Sequence, residues 1–108
     1  EDYDFIINIS EDGWFGNSVG PYQHFSHSIF RAIEEGKNII RSANNGISAY
    51  IDPTGQIINS IESTQKGVIE FKNFKKHKKT YFSTHGINLY FYFILFFIAL
   101  ILFLKRNR

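Results

Sequence analysis

The sequence predicts an α/β domain that is followed by one transmembrane helix. Two observations carry this prediction. Residues 4–71 alternate short apolar runs with one long amphipathic segment, which is the pattern of strands and a helix packed in layers. Residues 89–104 form an uninterrupted apolar run. We therefore divide the chain into a folded part, 1–74, a basic linker, 75–86, a transmembrane helix, 87–104, and a basic tail, 105–108.

The first strand is predicted from a short run rich in isoleucine, Asp4–Ile9. Its nearly continuous apolar character favours a buried strand covered on both faces. Turn-forming residues end it at Ser10–Gly13. A loop, Trp14–Pro21, follows, and Pro21 is suited to open a helix.

The spacing of apolar residues predicts a helix over Gln23–Asn38. Arg31 and Glu34 lie three positions apart on this helix, which favours an ion pair. The face expected to pack on the domain carries these residues: Phe25, Ile29, Ala32 or Ile33, and Gly36.

Three further strands are predicted after the helix. Asn44-Asn45-Gly46 marks a tight turn, and Ile47–Ile51 then alternates apolar and polar residues as a half-buried strand does. Asp52-Pro53-Thr54-Gly55 has Pro and Gly at the positions that a β-turn prefers. The chain should therefore return over Gln56–Ile61 as a hairpin, and a last strand is expected at Gly67–Phe71.

The apolar run near the end has the length of a membrane span. Sixteen residues at about 1.5 Å each give about 24 Å, and Ile87 and Asn88 extend this to about 27 Å, close to the ~30 Å hydrocarbon core. The aromatic segment Tyr90–Tyr92 suits the membrane interface. The alternative is a buried core helix, but 108 residues cannot surround a helix that is apolar on every face.

The amino-acid composition limits which ligands and which catalytic groups this chain can have. The net charge of +2 comes with lysines concentrated before the apolar run and basic residues after it, which suits anionic lipid headgroups better than nucleic acid. The chain has no cysteine, so it holds no disulfide, thiolate metal site or cysteine nucleophile. His77 and His85 have no partners at metal-ligand spacing, and neither a metal nor a cofactor is expected. Without an initial Met the chain reads as the tail of a longer protein.

The loop after the first strand carries the most specific motif. Asn8-Ile9-Ser10-Glu11-Asp12-Gly13-Trp14-Phe15-Gly16 is followed by Gly20-Pro21, Gln23-His24, Arg31-Ala32, Glu34, Arg41 and Asn44-Asn45-Gly46. This series resembles the C-terminal part of the apolipoprotein N-acyltransferases, the integral membrane members of the carbon-nitrogen hydrolase (nitrilase) superfamily. The resemblance covers Tyr3 to Gln56 and extends more weakly over Gly67–Phe71. One departure is Glu11, where that family usually carries Asn.

The resemblance implies a fold and a reaction. The fold would be the C-terminal part of a nitrilase-like α-β-β-α sandwich. The reaction would move an acyl chain from a glycerophospholipid to the N-terminal diacylglyceryl-cysteine of an apolipoprotein, so the implied partners are a phospholipid acyl donor, an apolipoprotein N-terminus and the membrane. The family uses a Glu-Lys-Cys triad, none of which maps onto this chain. We therefore expect no catalytic residue here and no activity of this segment alone.

The same resemblance implies where substrate contacts would lie. Trp14 matches a functionally important position near the active-site opening, and Phe15 offers a second apolar surface beside it. The alternative is that both side chains plug the domain core. His24 is a proton carrier by residue type, but a structural hydrogen-bonding role is favoured. Arg41, Asn44 and Asn45 would suit either a phosphate headgroup or a hydrogen-bonded turn, and we leave them out of the site.

Localisation and function each have competing interpretations. Counting basic residues around the helix places the folded part in the cytoplasm. The family architecture instead implies the bacterial inner membrane, with the folded part periplasmic and the tail 105–108 cytoplasmic. Two alternative functions stay open on sequence alone: a membrane-anchored amidase or nitrilase relative, and a non-enzymatic single-pass binding module.

Overall fold

A computed structural model describes residues 3–107. Residues 1, 2 and 108, which belong to the predicted folded part and basic tail, lie outside the described residues. The described chain forms a four-stranded sheet with one long helix on one face and two helices at the C-terminal end. The elements are β1 (Phe5–Glu11), α1 (Gly20–Glu35), β2 (Asn38–Asn44), β3 (Ser48–Ile51), β4 (Ile57–Ile61), α2 (Tyr81–His85) and α3 (Ile87–Arg106), with a short 3₁₀ turn at Gly13–Phe15.

β1, α1 and β2 form a βαβ unit. The two strands pair in parallel, from Phe5 opposite Asn38 to Glu11 opposite Asn44. Their carboxyl ends therefore lie at the same edge of the sheet. β2 was not predicted as a strand, because the polar residues after Ile39-Ile40 interrupt the apolar pattern.

The rest of the sheet is antiparallel, in the order β1-β2-β3-β4. Asn45 has a φ of 54°, so the predicted Asn-Gly turn between β2 and β3 is confirmed. The predicted hairpin is also confirmed: the Gly55 amide donates to the Asp52 carbonyl at 2.9 Å, and Gly55 has a φ of 83° that favours glycine.

The predicted strand at Gly67–Phe71 is wrong, since these residues have no regular structure. Aromatic packing determines their path instead. The Phe71 ring stacks on Tyr50 with centroids 5.0 Å apart, and Phe74 stacks on Phe5 at 4.7 Å. The chain thereby leaves the edge of β4 and returns across the start of β1.

α1 starts and ends three residues earlier than predicted. Pro21 lies in its first turn, and Gly36, with a φ of 61°, ends it in the left-handed conformation. Phe25, Ile29 and Ala32 of the predicted packing face do pack on the sheet. Ile33 is instead 45% exposed, and Gly36 lies beyond the last turn as the C-terminal cap of the helix. The core between α1 and the sheet consists of Phe25, Ala32, Ile39, Ile47, Ala49 and Ile51, with Ile6 and Ile29 packed against it.

The face of β1 that points away from α1 is covered only at its start, where Phe74 stacks on Phe5, whereas coverage of both faces was predicted. Ile6 packs on the core, whereas Ile7 and Ile9 are exposed, Ile9 by 83%. The reason is that α1 lies on one side of the sheet and, apart from the segment that carries Phe74, no described residues cover β1 on the other. β1 is also an edge strand, so its outer backbone groups have no neighbouring strand here.

α3 contains the apolar run and extends it at both ends. By length and composition it can cross a membrane, and none of its apolar residues is buried against the folded part. Within residues 3–107, therefore, α3 is not a buried core helix. α2 lies within the segment predicted as a linker, and Thr80 caps it by accepting a hydrogen bond from the Ser83 amide at 3.0 Å.

Candidate functional site

The loop that carries Trp14 and Phe15 lies at the carboxyl edge of the parallel strand pair. Trp14 lies three residues beyond the end of β1, and the turn at Asn45-Gly46 follows β2 at the same edge. Ligands of open α/β sheets bind outside this edge. An open polar groove of about 610 Å³ also lies at this edge, lined by residues 43–46, 48, 61 and 63–67. The fold thus places the loop with the two predicted residues at the edge of the sheet where such sites form.

The loop presents Trp14 outward. A 3₁₀ turn carries it, closed by the Phe15 amide on the Asp12 carbonyl at 3.1 Å and the Gly16 amide on the Gly13 carbonyl at 3.2 Å. The Trp14 side chain is 82% exposed, while Phe15 is 40% exposed and lies against the His24 ring, with centroids 5.6 Å apart. In the described chain neither residue fills the core. Phe15 braces the turn and Trp14 projects from it.

A buried ion pair fixes the start of this turn. Asp12 Oδ2 accepts a hydrogen bond from Arg41 Nη2 at 2.8 Å, and both side chains are buried. Oδ1 of the same carboxylate accepts from the Ser10 hydroxyl at 2.7 Å and faces His24 Nδ1 at 2.8 Å. Burial alone raises the pKa of Asp12, but the Ser10 and His24 hydrogen bonds and the Arg41 charge outweigh it and hold the pKa below its ordinary value. Asp12 is therefore an ionised anchor.

Arg41 is fully engaged inside the domain. Besides Asp12, it donates from Nε to the Ile47 carbonyl at 3.1 Å and from Nη1 to Asn8 Oδ1 at 2.7 Å and Ser28 Oγ at 3.3 Å. A guanidinium that is buried and bound on every side has no surface for a phosphate. The structural interpretation of Arg41 is confirmed. Its role is to connect β1, α1, β2 and the following turn.

Ser10, Asp12 and His24 do not form a nucleophilic triad. In such a triad the histidine bonds the carboxylate through one ring nitrogen and the serine through the other. Here His24 Nδ1 faces the carboxylate at 2.8 Å and lies 3.5 Å from the Ser10 hydroxyl, which itself donates to Asp12. Both residues hold the anchor carboxylate, so the expected structural role of His24 is confirmed.

Glu11 fastens the loop to the neighbouring turn. Its carboxylate accepts hydrogen bonds from Asn44 Nδ2 at 2.5 Å, from Asn45 Nδ2 at 3.1 Å and from the Gly13 amide at 2.7 Å. These hydrogen bonds, the one from Asn44 foremost, lower the pKa of Glu11. Asn44 and Asn45 thus act as turn residues. An Asn at this position would offer a single amide oxygen where Glu11 offers two carboxylate oxygens.

The remaining singled-out residues lie away from this loop. Arg31 forms the expected ion pair with Glu34 at 4.0 Å and a shorter one with Glu35 at 3.3 Å, all on the outer face of α1. His77 and His85 lie in the segment before α3. Among residues 3–107 no group of three potential ligands is suited to hold a metal ion.

Sequence reasoning missed the network around Asp12 and Arg41. One signal was present: a charge follows each of two apolar runs, Asp12 after β1 and Arg41 after Ile39-Ile40. Charged residues are almost never fully buried unless they are paired. Two charges of opposite sign, one after each of two apolar runs, therefore favour a buried pair.

Comparison with known proteins gives the family. A model of the carbon-nitrogen hydrolase family matches residues 1–72. A protein of Rickettsia bellii called apolipoprotein N-acyltransferase is 45% identical over all of this chain and 22% of its own length, and one of Photobacterium profundum with the same name is 37% identical over 99% of this chain and 21% of its own. A third, from Rickettsia typhi, is 51% identical over 62% of this chain.

The chain spans about a fifth of the length of the first two of these relatives. The family model, in contrast, covers the whole sheet, α1 and the Trp14 loop. That range contains the buried Asp12–Arg41 pair and the turn that it anchors. This chain belongs to the carbon-nitrogen hydrolase family.

Proposed function

We propose that this chain is the C-terminal part of an apolipoprotein N-acyltransferase, which moves an acyl chain from a glycerophospholipid to the N-terminal diacylglyceryl-cysteine of lipoproteins. The observation that carries the proposal is the likeness, over the whole chain, to two proteins with that name. The likeness extends past the folded part into α3, as an enzyme with a membrane helix at this position requires.

The exposed face of β1 supports a larger domain around this chain. Ile7 and Ile9 form an apolar strip on the side of the sheet that α1 does not cover. In the proposed enzyme a second sheet packs on this strip, which completes the α-β-β-α sandwich and removes the apolar surface from water. The folded part, 1–74, is thus one section of that sandwich, and 75–86 links it to the membrane helix.

Trp14 and Phe15 supply part of the wall of the acyl-transfer site. An exposed indole on a turn that is fixed by a buried ion pair offers a large apolar surface at low entropic cost. That chemistry suits an acyl chain or the diacylglyceryl group of the acceptor. The chain contains no cysteine, so the nucleophile that carries the acyl group as a thioester belongs to another part of the protein, and this segment is inactive alone.

α3 anchors the enzyme in the bacterial inner membrane. Its apolar length fits a bilayer, and basic residues close its C-terminal end at Lys105 and Arg106. In the proposed topology the folded part is periplasmic, where lipoproteins receive their third acyl chain, and the tail is cytoplasmic. The count of basic residues alone would place the folded part in the cytoplasm, but preceding helices usually set the orientation.

Acyl transfer by the full-length protein tests the proposal. The purified protein is mixed with a phospholipid and a diacylated lipopeptide, and the lipopeptide mass is followed. We expect a gain of one acyl chain, and a kcat/KM roughly 10- to 100-fold lower for Trp14→Ala, the range that loss of a large apolar contact gives.

Phe30→Ala serves as the matched control, because Phe30 is an exposed aromatic residue on α1 that is not part of the loop. Its rate should equal that of the wild type. A folded full-length protein that adds no acyl chain would exclude the proposed activity. Equal losses in Trp14→Ala and Phe30→Ala would exclude the role of Trp14.

A further inference from the structure

A basic groove lies at the amino edge of the parallel strands, opposite the edge that carries Trp14. Its cavity of about 570 Å³ is lined by residues of the turn between α1 and β2 and of the segment before α2. Five lysines and one carboxylate, Asp4, contribute to the lining. Seven residues of strand, at about 3.3 Å each, separate this edge from the Trp14 edge, a distance of roughly 20 Å. The groove is therefore not part of the proposed acyl-transfer site.

The wall of the groove is held in a fixed shape. The buried Asn38 side chain donates from Nδ2 to the Lys75 carbonyl at 2.8 Å, and its Oδ1 accepts from the Lys75 amide at 3.2 Å and from the Tyr50 hydroxyl at 2.9 Å. Lys75 Nζ also binds the buried carboxylate of Asp52 at 2.7 Å. Because the buried Asn38 side chain binds both the amide and the carbonyl of Lys75, it fixes the path of the lysine-rich segment.

Three of the five lysines have no partner in this structure. Lys75 is paired with Asp52, and Lys37 donates to the Tyr3 carbonyl and lies over its ring. Within residues 3–107, in contrast, Lys72, Lys76 and Lys79 make no hydrogen bond or ion pair and are exposed. The groove thus carries three unpaired lysines and one carboxylate, Asp4, around one concave surface, and its net positive charge attracts an anion.

The groove is also tied to the start of the apolar helix. Thr80, one residue beyond Lys79, donates its hydroxyl hydrogen to the Glu34 carbonyl at the end of α1. α3 begins at Ile87, and only α2 and Gly86 lie between. If α3 enters a bilayer, the three lysines lie within reach of its headgroups, where each lysine gains from the negative surface potential.

We propose that this groove binds the phosphate headgroup of an anionic phospholipid in the membrane that α3 enters. The inference takes the membrane position of α3 from the proposed function, but it does not depend on acyl transfer. The bound lipid would act as a second point of attachment beside α3 and hold the folded part against the bilayer surface.

Lipid binding by the full-length protein tests this inference. The protein in detergent is titrated with an ether-linked phosphatidylglycerol, which has no ester-linked acyl chain to donate, and bound lipid is counted by native mass spectrometry. We expect Lys76→Gln/Lys79→Gln to weaken binding about tenfold or more, and Lys76→Arg/Lys79→Arg to retain it.

The matched control is Lys66→Gln/Lys78→Gln, which removes the same charge from lysines that do not line the groove. This pair should bind nearly as the wild type does. Equal weakening in the two lysine pairs would overturn the proposal in favour of diffuse attraction. Equal binding of ether-linked phosphatidylcholine, or equally strong competition by soluble glycerol phosphate, would overturn it as well. The binding titration contains no acyl acceptor. Its result therefore stands even if the protein shows no acyl transfer in the separate activity assay.

Discussion

Asp12 and Arg41 form a buried ion pair, 2.8 Å from Oδ2 to Nη2, that joins the middle of β2 to the turn carrying Trp14. The two residues are 29 positions apart in the sequence. Trp14 itself makes few contacts, so its position depends on the fixed Asp12 two residues before it. The placement of a proposed substrate contact therefore depends on residues that never touch the substrate.

Breaking this pair should destabilise the domain strongly. Arg41→Met leaves the Asp12 carboxylate buried without its cation, for which the expected cost is about 3–5 kcal/mol. Thermal unfolding of the purified protein measures it. Arg31→Met, which removes an exposed ion pair on α1, should cost less than about 1 kcal/mol. Equal losses in the two variants would show that the buried pair is not an anchor. Adding Asp12→Asn to Arg41→Met should recover part of the stability.

Gly46 leaves room for the Asp12 carboxylate. A Cβ added at Gly46 would lie 2.7 Å from Asp12 Cγ and 2.8 Å from Asp12 Cβ, so the carboxylate would have to move. We expect Gly46→Ala to destabilise the protein by about 1–3 kcal/mol and to speed hydrogen exchange of the Asp12 amide. Gly67→Ala is the control, because its new Cβ would meet only the flexible end of Ile61 at 3.2 Å. Unchanged exchange at Asp12 in Gly46→Ala would contradict this prediction.

The pH dependence of stability should reflect Asp52. Burial raises the pKa of its carboxyl, but Lys75, Thr54 and the Gln56 amide lower it more, to about 2. A carboxyl whose pKa is lower in the folded state stabilises that state above its unfolded pKa of about 4. This stability, roughly 2 kcal/mol, should be lost as the pH falls from about 4 to about 2. Thermal unfolding across this range measures it, and Asp52→Asn should remove most of the slope.

The Glu11 carboxylate should control how firmly the Trp14 turn is closed. Glu11→Gln keeps one acceptor oxygen for three donors, so the Gly13 amide should exchange faster while amides in β3 do not change. Because the pKa of Glu11 is lowered in the folded state, the contribution is present above the ordinary glutamate pKa and is lost as the pH falls below it. Exchange at Gly13 that is identical in both proteins would exclude this role.

The proposed topology predicts which side of the membrane each end of α3 faces. Ser83→Cys and Asn107→Cys place single thiols just before and just after the helix, and this chain adds no cysteine of its own. In intact spheroplasts a membrane-impermeant maleimide should label residue 83 and not residue 107, and peptide mapping locates the label. Labelling of residue 107 alone would reverse the orientation, and labelling of both would exclude a span.

Elements with local signals could be predicted from the sequence, and elements decided by distant contacts could not. α1 follows from its spacing and Pro21, and the hairpin follows from the Asp52–Gly55 turn. β2 was missed because the polarity of Arg41 suggests a loop until its partners on β1 and α1 are known. Residues 67–71 alternate like a strand, yet stacking of Phe71 on Tyr50 draws them away from the sheet.

The candidate site also has one part that local sequence signals predict and one part that depends on distant contacts. Trp14 and Phe15 were selected from a motif and lie on an exposed turn at the expected edge of the sheet. The network that holds them needs the tertiary structure, since Asp12, His24 and Arg41 come from three separate elements. Spacing along the chain gives no indication that His24 joins Asp12 and Arg41.

In the proposed topology, the contact between Thr80 and the end of α1 limits how far the folded part can move from the membrane. Only six residues, 81–86, separate this attachment from Ile87, and five of them are helical. Even fully extended, six residues reach about 20 Å. An enzyme attached in this way would meet its substrates by diffusion in two dimensions. It would be restricted to molecules held in the same bilayer, and their density in that bilayer, rather than their concentration in solution, would determine how often they meet.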